Sequence, residues 1–333
     1  MPHCNRNFIW AALCAAGLSA CGGGGSSGGG SEPDTGTMSI GVTDAAVDNA
    51  DRILVQFTGV GVNPGTGAAI DFPLDGDSQT CQDLLDGIPP SATAAGEPTV
   101  RCVELLELQG TDSVSLLQGV ELQAGEYTAL RLQVDAERGE MDSIIVLDDG
   151  TQESLFIPSG SQSGLKLNSS FTILAGGTHN FVVDFDLRKS VNDPQGFPDY
   201  RLRPSLRLVD LAESGNITGS VQADLLTAEG CTGDVNTGGG FAVYAYVGGL
   251  GTEVGEEGSD LAPLTSAAVV FDDASGQWRY TIGYLPPGEY TVGFTCQAAD
   301  DSPEVPDDGI DISLSSDNPV SVVADQDSEA NFP

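Results

Sequence analysis

Short stretches with an apolar residue at every second position follow one another through most of the chain. Ile53, Val55 and Phe57 form one such series within residues 52–62. A period of two is typical of β-strands, because successive side chains point to opposite faces. Gly, Asp and Pro separate the stretches, and helical periodicity is nearly absent. In the first half the pattern predicts strands at residues 39–43, 52–62, 126–135, 143–147, 154–157, 171–174, 179–187 and 200–209, and it leaves residues 100–109 open between a short helix and a strand.

The pattern resumes after Ser214 and Gly215, where we place a domain boundary. About 120 residues follow, a length that suits one β-sandwich. The sequence therefore predicts an all-β protein with two antiparallel, Greek-key β-sandwich domains, at residues 37–212 and 213–333. The strands predicted in the second domain are residues 217–225, 240–247, 267–272, 277–283, 289–296 and 320–323.

One string occurs in both predicted domains. Residues 122–128 and 285–291 share the pattern L-x-x-G-E-Y-T. A permissive glycine suits a turn, and a tyrosine at the start of the next strand can bury its ring and return its hydroxyl to the backbone. We therefore expect Tyr127 and Tyr290 to be structural, in two related sandwiches.

The N-terminus has the build of a secretory signal. Arg6 precedes an apolar run at residues 8–18, which is too short to span a bilayer as a helix. The small residues Ser19 and Ala20 then precede Cys21, as in a bacterial lipobox. The pattern predicts a lipoprotein that is anchored to the cell envelope through this cysteine.

This prediction also defines the first segments of the chain. Residues 1–20 would be removed as a signal peptide, and Cys21 would be acylated. Residues 22–31 contain only Gly and Ser and are expected to form a flexible tether, within a linker of residues 21–36. Gly22 directly after the lipid cysteine is compatible with transport to the outer membrane.

The charge balance excludes one class of partner. The chain has 12 Lys and Arg against 49 Asp and Glu, a formal net charge of −37. So acidic a surface repels nucleic acid, because phosphate binding depends on clustered Lys and Arg. Two interpretations stay open, namely cation binding or salty surroundings, and simple solubility.

Cysteine usage predicts two disulfides. Four cysteines follow Cys21, and an even number in an exported chain favours pairing. Sequence alone allows three connectivities, and the domain boundary favours Cys81–Cys102 and Cys231–Cys296. We do not expect zinc, because no CxxC pair exists and His179 is the single histidine beyond the signal.

Charged residues alternate with apolar ones in two neighbouring predicted strands. If residues 179–187 and 200–209 pair antiparallel, their acids and arginines form a cross-strand ladder. One interpretation is a structural stripe of ion pairs. The other is a polar cleft for an anionic or sugar ligand, formed by Lys166, Asp184, Asp186, Arg188, Arg201 and Arg203.

Calcium is the one cofactor that the sequence leaves open. Asp44 and Asp48 are weak candidate ligands, as are the pairs at residues 148–149, 300–301 and 307–308. None has the spacing of an EF-hand loop, and turn-forming Asp is the competing interpretation.

Three aromatic residues and Ile282 alternate with other residues from 278 to 284. Trp278, Tyr280 and Tyr284 share one face of the predicted strand 277–283 and its extension. Such a row could stack on a sugar ring, or it could belong to the core. Catalysis has little support, since His179 lies in an apolar strand and no string singles out a pair of carboxylates. We therefore expect no enzyme.

Several strings carry a family resemblance, and they occur in order at residues 41–45 (GVTDA), 116–119 (LLQG), 124–127 (AGEY), 157–167 (IPSGSQSGLKL), 184–191 (DFDLRKSV) and 200–204 (YRLRP). On these strings, residues 38–211 resemble the bacterial lipoprotein family known as domain of unknown function 4382. Residues 215–333 resemble a prealbumin-like or carboxypeptidase-regulatory-like sandwich, on residues 215–221 and 285–292. The resemblance implies a surface lipoprotein built from β-sandwiches, and it brings no agreed activity.

The sequence thus predicts a lipid-anchored protein of the cell envelope, on the outer membrane, with a non-catalytic binding role. Polysaccharide, adhesion or an envelope protein would be its target. The alternatives are a structural spacer without a ligand and, third, a carboxylate-dependent hydrolase.

Overall fold

The computed structural model describes residues 34–45, 50–158, 164–192, 199–203, 205–251 and 253–333. It is almost entirely β, as the alternating pattern predicts. The first fourteen strands are β1 (Thr35–Ala45), β2 (Arg52–Pro64), β3 (Ile70–Pro73), β4 (Arg101–Glu104), β5 (Val114–Gln123), β6 (Gly125–Asp135), β7 (Ile144–Val146), β8 (Gln152–Phe156), β9 (Leu165–Leu167), β10 (Phe171–Ile173), β11 (Thr178–Asp186), β12 (Val191–Asn192), β13 (Tyr200–Leu202) and β14 (Leu206–Asp210). Short α-helices at Cys81–Leu85 and Leu187–Ser190, and 3-10 turns at Leu105–Glu107 and Leu211–Glu213, lie between them.

These strands form two sheets. Sheet 1 has the order β14-β11-β1-β5, and sheet 2 has the order β10-β6-β2-β7-β8-β13-β12, with β3 and β4 also paired to β2 and β9 to β6. One hydrophobic core draws on both sheets, including Ile40 and Phe185 from sheet 1 and Phe57 and Leu132 from sheet 2. The Phe57 and Phe185 rings meet edge to face, with centroids 6.2 Å apart. We call this sandwich the N-terminal module, residues 34–212.

The remaining strands form a second sandwich, the C-terminal module, residues 213–333. They are β15 (Gly215–Val221), β16 (Ala242–Val247), β17 (Thr265–Ala268), β18 (Val270–Asp272), β19 (Gln277–Leu285), β20 (Gly288–Thr295), β21 (Ser313–Leu314), β22 (Val320–Val322) and β23 (Asp327–Glu329), with a helix at Ala223–Leu226 and a 3-10 turn at Ala298–Asp300. Sheet 3 has the order β18-β19-β15-β23. Sheet 4 has the order β17-β16-β20-β21, with β22 also on β20. Ile217 and Ile282 of sheet 3 share a core with Val243 and Val292 of sheet 4.

Most strand pairs are antiparallel, and three are parallel. The parallel pairs are β1 with β11, β8 with β13, and β15 with β23. Parallel strands need a long connection between them, and here the connecting chain contains other strands. In the C-terminal module, the parallel pair joins the first strand, β15, to the last, β23.

Some predicted strand limits were wrong. Residues 114–123 form β5, which the alternation did not predict, because Gly119 has a φ of 60° and the pairing with β1 contains two irregularities. The predicted strand 217–225 ends at Val221 and continues as a helix. Residues 100–109, left open, divide into β4 and a 3-10 turn.

Both predicted disulfides are present. Cys81 and Cys102 are bonded with a Cα–Cα distance of 4.8 Å, and Cys231 and Cys296 with one of 5.1 Å. The first bond attaches the helix Cys81–Leu85 to sheet 2. This helix is capped by Thr80, whose hydroxyl accepts the Asp83 N–H while the Asp83 side chain accepts the Thr80 N–H. Each module therefore contains its own disulfide.

The repeated L-x-x-G-E-Y-T string forms the same structure twice. The rings of Tyr127 and Tyr290 are buried, at 2% and 3% exposure. Tyr127 donates its hydroxyl to the carbonyl oxygen of Gln123 at 3.0 Å, and Tyr290 to that of Pro286 at 2.9 Å. Both tyrosines are therefore structural, as expected.

The two modules touch through backbone and side chains. A Cβ on Gly283 would lie 1.9 Å from the carbonyl oxygen of Gly110, so only glycine allows this approach. Tyr284, at a φ of 57°, donates its hydroxyl to the carbonyl oxygen of Thr111. Residues 33–333 form one compact unit, and the domain boundary at residue 213 stays a prediction. Within the described ranges, no helix has the length and apolar character needed to cross a membrane.

Candidate functional site

The acidic residues at the end of β11 are buried, whereas one of our two interpretations placed them in a polar cleft. Asp184 and Asp186 are 4% and 3% exposed. β11 ends at Asp186, so Arg188 lies on the helix that follows and does not share the strand face predicted for it. Arg188 is buried, and its Nη1 donates to the carbonyl oxygen of Ala298 at 2.7 Å. It therefore joins the two modules.

The predicted arginine strand 200–209 is in fact two strands in different sheets. β13 pairs with β8 and β12, whereas β14 pairs with β11. Pro204 lies between them in sequence, and a proline has no N–H with which to continue a ladder. The predicted acid–arginine pairing is present between β11 and β14, where Arg207 Nε donates to Asp184 Oδ2 at 2.9 Å.

The other residues predicted for the cleft lie elsewhere. Arg201 and Arg203 each have a guanidinium nitrogen 3.9 Å from Glu304 Oε1 of the C-terminal module. Lys166 is exposed on β9, opposite Arg131. Of the six predicted residues, Asp184 lines a cavity at the junction of the modules, which we call the junction cavity.

That cavity lies between the modules and has a volume of about 180 Å³. The N-terminal module contributes Asp44, Gln109, Gly110 and Asp184. The C-terminal module contributes strand β17 and residues 279–284 of β19. Asp44 and Asp184 lie on neighbouring strands, because β1 and β11 pair in parallel with Thr43 opposite Asp184 and Asp44 opposite Phe185.

Ser266 and Arg279 are among the polar residues of the cavity that the sequence did not single out. Ser266 is 3% exposed, and its Oγ has no hydrogen-bond partner within the described part of the chain. Arg279 is half-buried on β19. The sequence could have indicated Arg279, because it is the one charged residue between Trp278 and Tyr284. Ser266 was missed because the predicted strand began one residue after it.

The aromatic row of β19 belongs mainly to the core, which corrects its interpretation as a stacking platform. Tyr280 is 2% exposed and donates its hydroxyl to the carbonyl oxygen of Ala330 at 2.8 Å. Its burial also raises the pKa of the phenol. Trp278 packs edge-on against Phe241 and Phe271. Tyr284 is half-buried at the junction. None of the three offers an open ring face on a shared surface.

The candidate calcium ligands separate in the structure. Asp48 lies outside the described residues, and Asp44 lines the junction cavity. Asp149 is a turn residue, whose Oδ1 accepts the N–H of Thr151 at 2.9 Å. These positions do not form one site.

Asp301 and Asp308 do meet, together with Glu256, which sequence did not indicate. One carboxylate oxygen from each lies within 4.8 Å of the others. These carboxylates already accept bonds: Asp301 Oδ2 from the Tyr244 hydroxyl at 2.6 Å, and Glu256 Oε1 from the Ile310 N–H at 2.8 Å. Burial raises the pKa of Asp301. These hydrogen bonds connect the cluster to the backbone of the surrounding loops.

His179 has a structural environment. Its Nε2 accepts the N–H of Leu174 at 3.0 Å, and its ring stacks on Phe181 with centroids 6.2 Å apart. A nitrogen engaged by a backbone donor is a poor general base.

Comparison with solved structures returns β-proteins of low similarity. A candidate cell adhesion protein from Bacteroides fragilis shares 10% identity, with 86% of this chain and 80% of that chain covered, at a TM-score of 0.20. The minor pilin of Streptococcus agalactiae shares 12% identity, with 89% and 96% covered, at a TM-score of 0.16. A fimbrial protein from Bacteroides ovatus shares 8% identity, with 90% and 49% covered, at a TM-score of 0.19. Scores this low carry no argument about function.

A comparison with curated proteins finds no match. A family comparison does, and its match covers residues 35–204, just over half of the chain. The matched range includes nearly all of the N-terminal module. The chain therefore belongs to the family described as Domain of unknown function (DUF4382).

Proposed function

We propose that this protein is a non-catalytic binding protein of the bacterial cell envelope, held to the outer membrane by a lipid on Cys21. The observation that carries this proposal is the pairing of all four cysteines beyond Cys21 into one disulfide per module. Disulfides persist in oxidising compartments, so the pairing agrees with the export signal at residues 1–20. Residues 22–31 would hold the modules away from the bilayer.

The junction cavity supports a binding role. It places carboxylates, hydroxyls and a guanidinium around one concave space, and convergent polar groups in a cavity are typical of ligand sites. Polysaccharide is the target class we favour, with adhesion or an envelope protein as the alternatives.

A specific observation favours a second candidate function, that of a spacer without a ligand. Arg188, Arg201 and Arg203, predicted for an open cleft, interact instead with the C-terminal module. The buried Tyr280 likewise removes the predicted aromatic platform. If the polar groups at the junction serve only to join the modules, the protein is a rigid support.

The anchor is tested by Cys21→Ala in the full chain. We expect the variant to lose membrane association while its circular dichroism matches that of the wild type. Normal fractionation of the variant with membranes would exclude the lipid anchor.

The binding role is tested by applying the detergent-solubilised full chain to a polysaccharide array, with calcium and again with chelator. We expect saturable binding to one glycan class. A blank array in both conditions would favour the spacer. Loss of binding with chelator would indicate that calcium, held by the acidic loops, takes part in the binding site.

A further inference from the structure

Two cations of the N-terminal module lie side by side without an acidic partner. The chain has 12 Lys and Arg against 49 Asp and Glu. The arginines that form ion pairs include Arg52, Arg138, Arg201, Arg203 and Arg207. Arg131 and Lys166 form no ion pair with any residue of the described ranges. In so acidic a chain, two neighbouring cations without an acid are a local exception.

Arg131 and Lys166 face each other across the ladder of β6 and β9. The two strands pair antiparallel, with Arg131 directly opposite Lys166. Side chains opposite each other lie on one face of a sheet, with Cβ atoms about 4.5–5.5 Å apart. The flanking leucines of both strands are buried in the core, so the two cations lie on the outer face of sheet 2. Lys166 is exposed and Arg131 is half-buried, so the pair is open to solvent.

Glycines leave room for the Arg131 side chain. Gly164 has a φ of 60°, and a Cβ there would lie 3.1 Å from Arg131 Cγ. On the other side, Arg131 is opposite Gly61 of β2, and Asp71 Oδ1 lies 2.6 Å from the position that a Cβ of Gly61 would occupy. Asp71 Oδ1 accepts a hydrogen bond from Gln133 Nε2 at 2.8 Å and forms no ion pair with Arg131. The stem of Arg131 is therefore packed, while its charge stays unbalanced.

The opposed charges weaken the strand pair unless an anion lies between them. Like charges directly opposite each other in a sheet are destabilising. An oxyanion bound to both side chains would replace this repulsion by two attractions. A guanidinium presents a planar fork of N–H donors that matches a carboxylate, and an ammonium adds a second positive charge.

The size of the positive site limits the anion. Binding of nucleic acid depends on many Lys and Arg, whereas here two cations lie in a chain of net charge −37. Repulsion from more distant exposed acids is largely screened beyond about 8 Å at physiological ionic strength. A single carboxylate on an otherwise neutral sugar chain can therefore reach the pair, whereas a dense polyanion is repelled.

We propose that Arg131 and Lys166 bind the carboxylate of a uronic acid residue in a polysaccharide. The inference rests on the proposed binding function and names its substrate class. It places a subsite for that carboxylate on the outer face of sheet 2.

The test is calorimetric titration of the detergent-solubilised full chain with matched trisaccharides. One series has three glucose residues, or two with one glucuronate, and the other uses galactose and galacturonate in the same way. We expect saturable binding of an acidic trisaccharide and at least tenfold weaker binding of its neutral counterpart. Arg131→Gln and Lys166→Gln should each weaken binding of the acidic trisaccharide about tenfold, because each removes a charge-assisted contact. Lys166→Arg keeps the charge and should retain binding.

Arg279→Gln is the matched control. It removes the same charge from a half-buried arginine that has no ion pair within the described part of the chain and lies opposite Ser220 and Val270. This variant should bind like the wild type. Circular dichroism and thermal melting would confirm that each variant is folded. The exposed Lys166 keeps the test valid if Arg131→Gln does not fold.

The outcomes separate this inference from the proposed function. Equal affinity for acidic and neutral trisaccharides, unchanged in Lys166→Gln, overturns the subsite and keeps the binding role. Loss of binding in Arg279→Gln alone also overturns it, because the carboxylate would then lie at the junction cavity. Acetate that binds as tightly as the acidic trisaccharide would show a general anion site and overturn the assignment to a sugar. A positive polysaccharide array without binding of either acidic trisaccharide overturns the inference alone, and a blank array as well overturns both proposals.

Discussion

The two L-x-x-G-E-Y-T corners have the same local structure in different surroundings. In each, a buried tyrosine donates to the carbonyl oxygen four residues earlier, that of Gln123 for Tyr127 and that of Pro286 for Tyr290. Tyr127 stacks on Phe171, with ring centroids 5.2 Å apart. Tyr290 lies in sheet 4 between β16 and β22. A short string therefore encodes its own corner but not its neighbours.

The modules also differ in the length of chain between their disulfide-bonded cysteines and in the exposure of particular side chains. The disulfide of the N-terminal module spans 21 residues, and that of the C-terminal module spans 65. The acids at the end of β11 are covered at the junction, whereas Val270 and Phe271 at the edge of sheet 3 are about half exposed. The following variants test these differences, beginning with the largest expected effect.

Removing the disulfides should give the largest difference in stability between the two modules. Cys231→Ala with Cys296→Ala should lower the free energy of unfolding by about 4 kcal/mol, and Cys81→Ala with Cys102→Ala by about 3 kcal/mol, because a longer closed loop restricts the unfolded chain more. Urea denaturation of the double variants, with reduced wild type as the control, measures both. The reverse order would show that loop entropy does not set the difference.

The buried ion pair at the junction is the next test. Asp184→Asn leaves Arg207 without its charged partner, and we expect a loss of about 3 kcal/mol, because breaking a buried pair is costly. Asp199→Asn is the matched control. Its partner Arg138 is 47% exposed, and exposed pairs contribute little. Equal melting temperatures for the two variants would contradict the burial argument.

Hydrogen bonds from Ser154 and Arg138 lower the pKa of Asp199. Its small contribution is therefore present above the ordinary carboxyl pKa and is lost as the pH falls through the lowered value. Acid titration of the melting temperature should show this slope in the wild type and not in Asp199→Asn.

The glycine contact between the modules should have a smaller effect. Gly283→Ala places a Cβ against the Gly110 carbonyl and should cost about 2 kcal/mol, because the backbones must separate. In Gly288→Ala the nearest atom is 3.9 Å from the new Cβ, so this control should change stability little. If the two variants unfold alike in urea, the modules do not depend on this contact.

The corners themselves should give the smallest and most equal effects. Tyr127→Phe and Tyr290→Phe each remove one hydrogen bond and keep the ring, so each should lower the free energy of unfolding by about 1 kcal/mol. Unequal values would mean that the surroundings contribute to the corner. Denaturant unfolding of both single variants, beside the double variant, measures this.

Much of the fold followed from local pattern. The period of two identified β2, β6, β11 and β20 to within a few residues. The disulfides followed from the change of pattern near residue 214. β5 was missed, since Gly119 and the irregular pairing with β1 interrupt the alternation. The division of residues 200–209 was missed because one apolar pattern can be shared by strands of different sheets.

The candidate site was predicted only in part. The sequence indicated Asp44 as a weak calcium ligand and Asp184 as part of a polar cleft, and it did not connect the two. Ser266 and Arg279 come from strands about 80 residues or more further along the chain. Their meeting depends on how two sandwiches pack, which no local pattern contains.

The sequence by itself determined the β-class and the repeated corner, because these depend on residue periods and turn glycines, and it favoured the observed cysteine pairing through a change of pattern along the chain. Only the tertiary structure decided which faces of the strands are covered. The pattern did not decide whether Asp184 and Tyr280 are exposed or buried. Alternation assigns residues to the two faces of a strand but does not show what packs against either face. Packing of one module against the other placed Asp184 at a cavity between them, and packing within the C-terminal sandwich made Tyr280 part of a core.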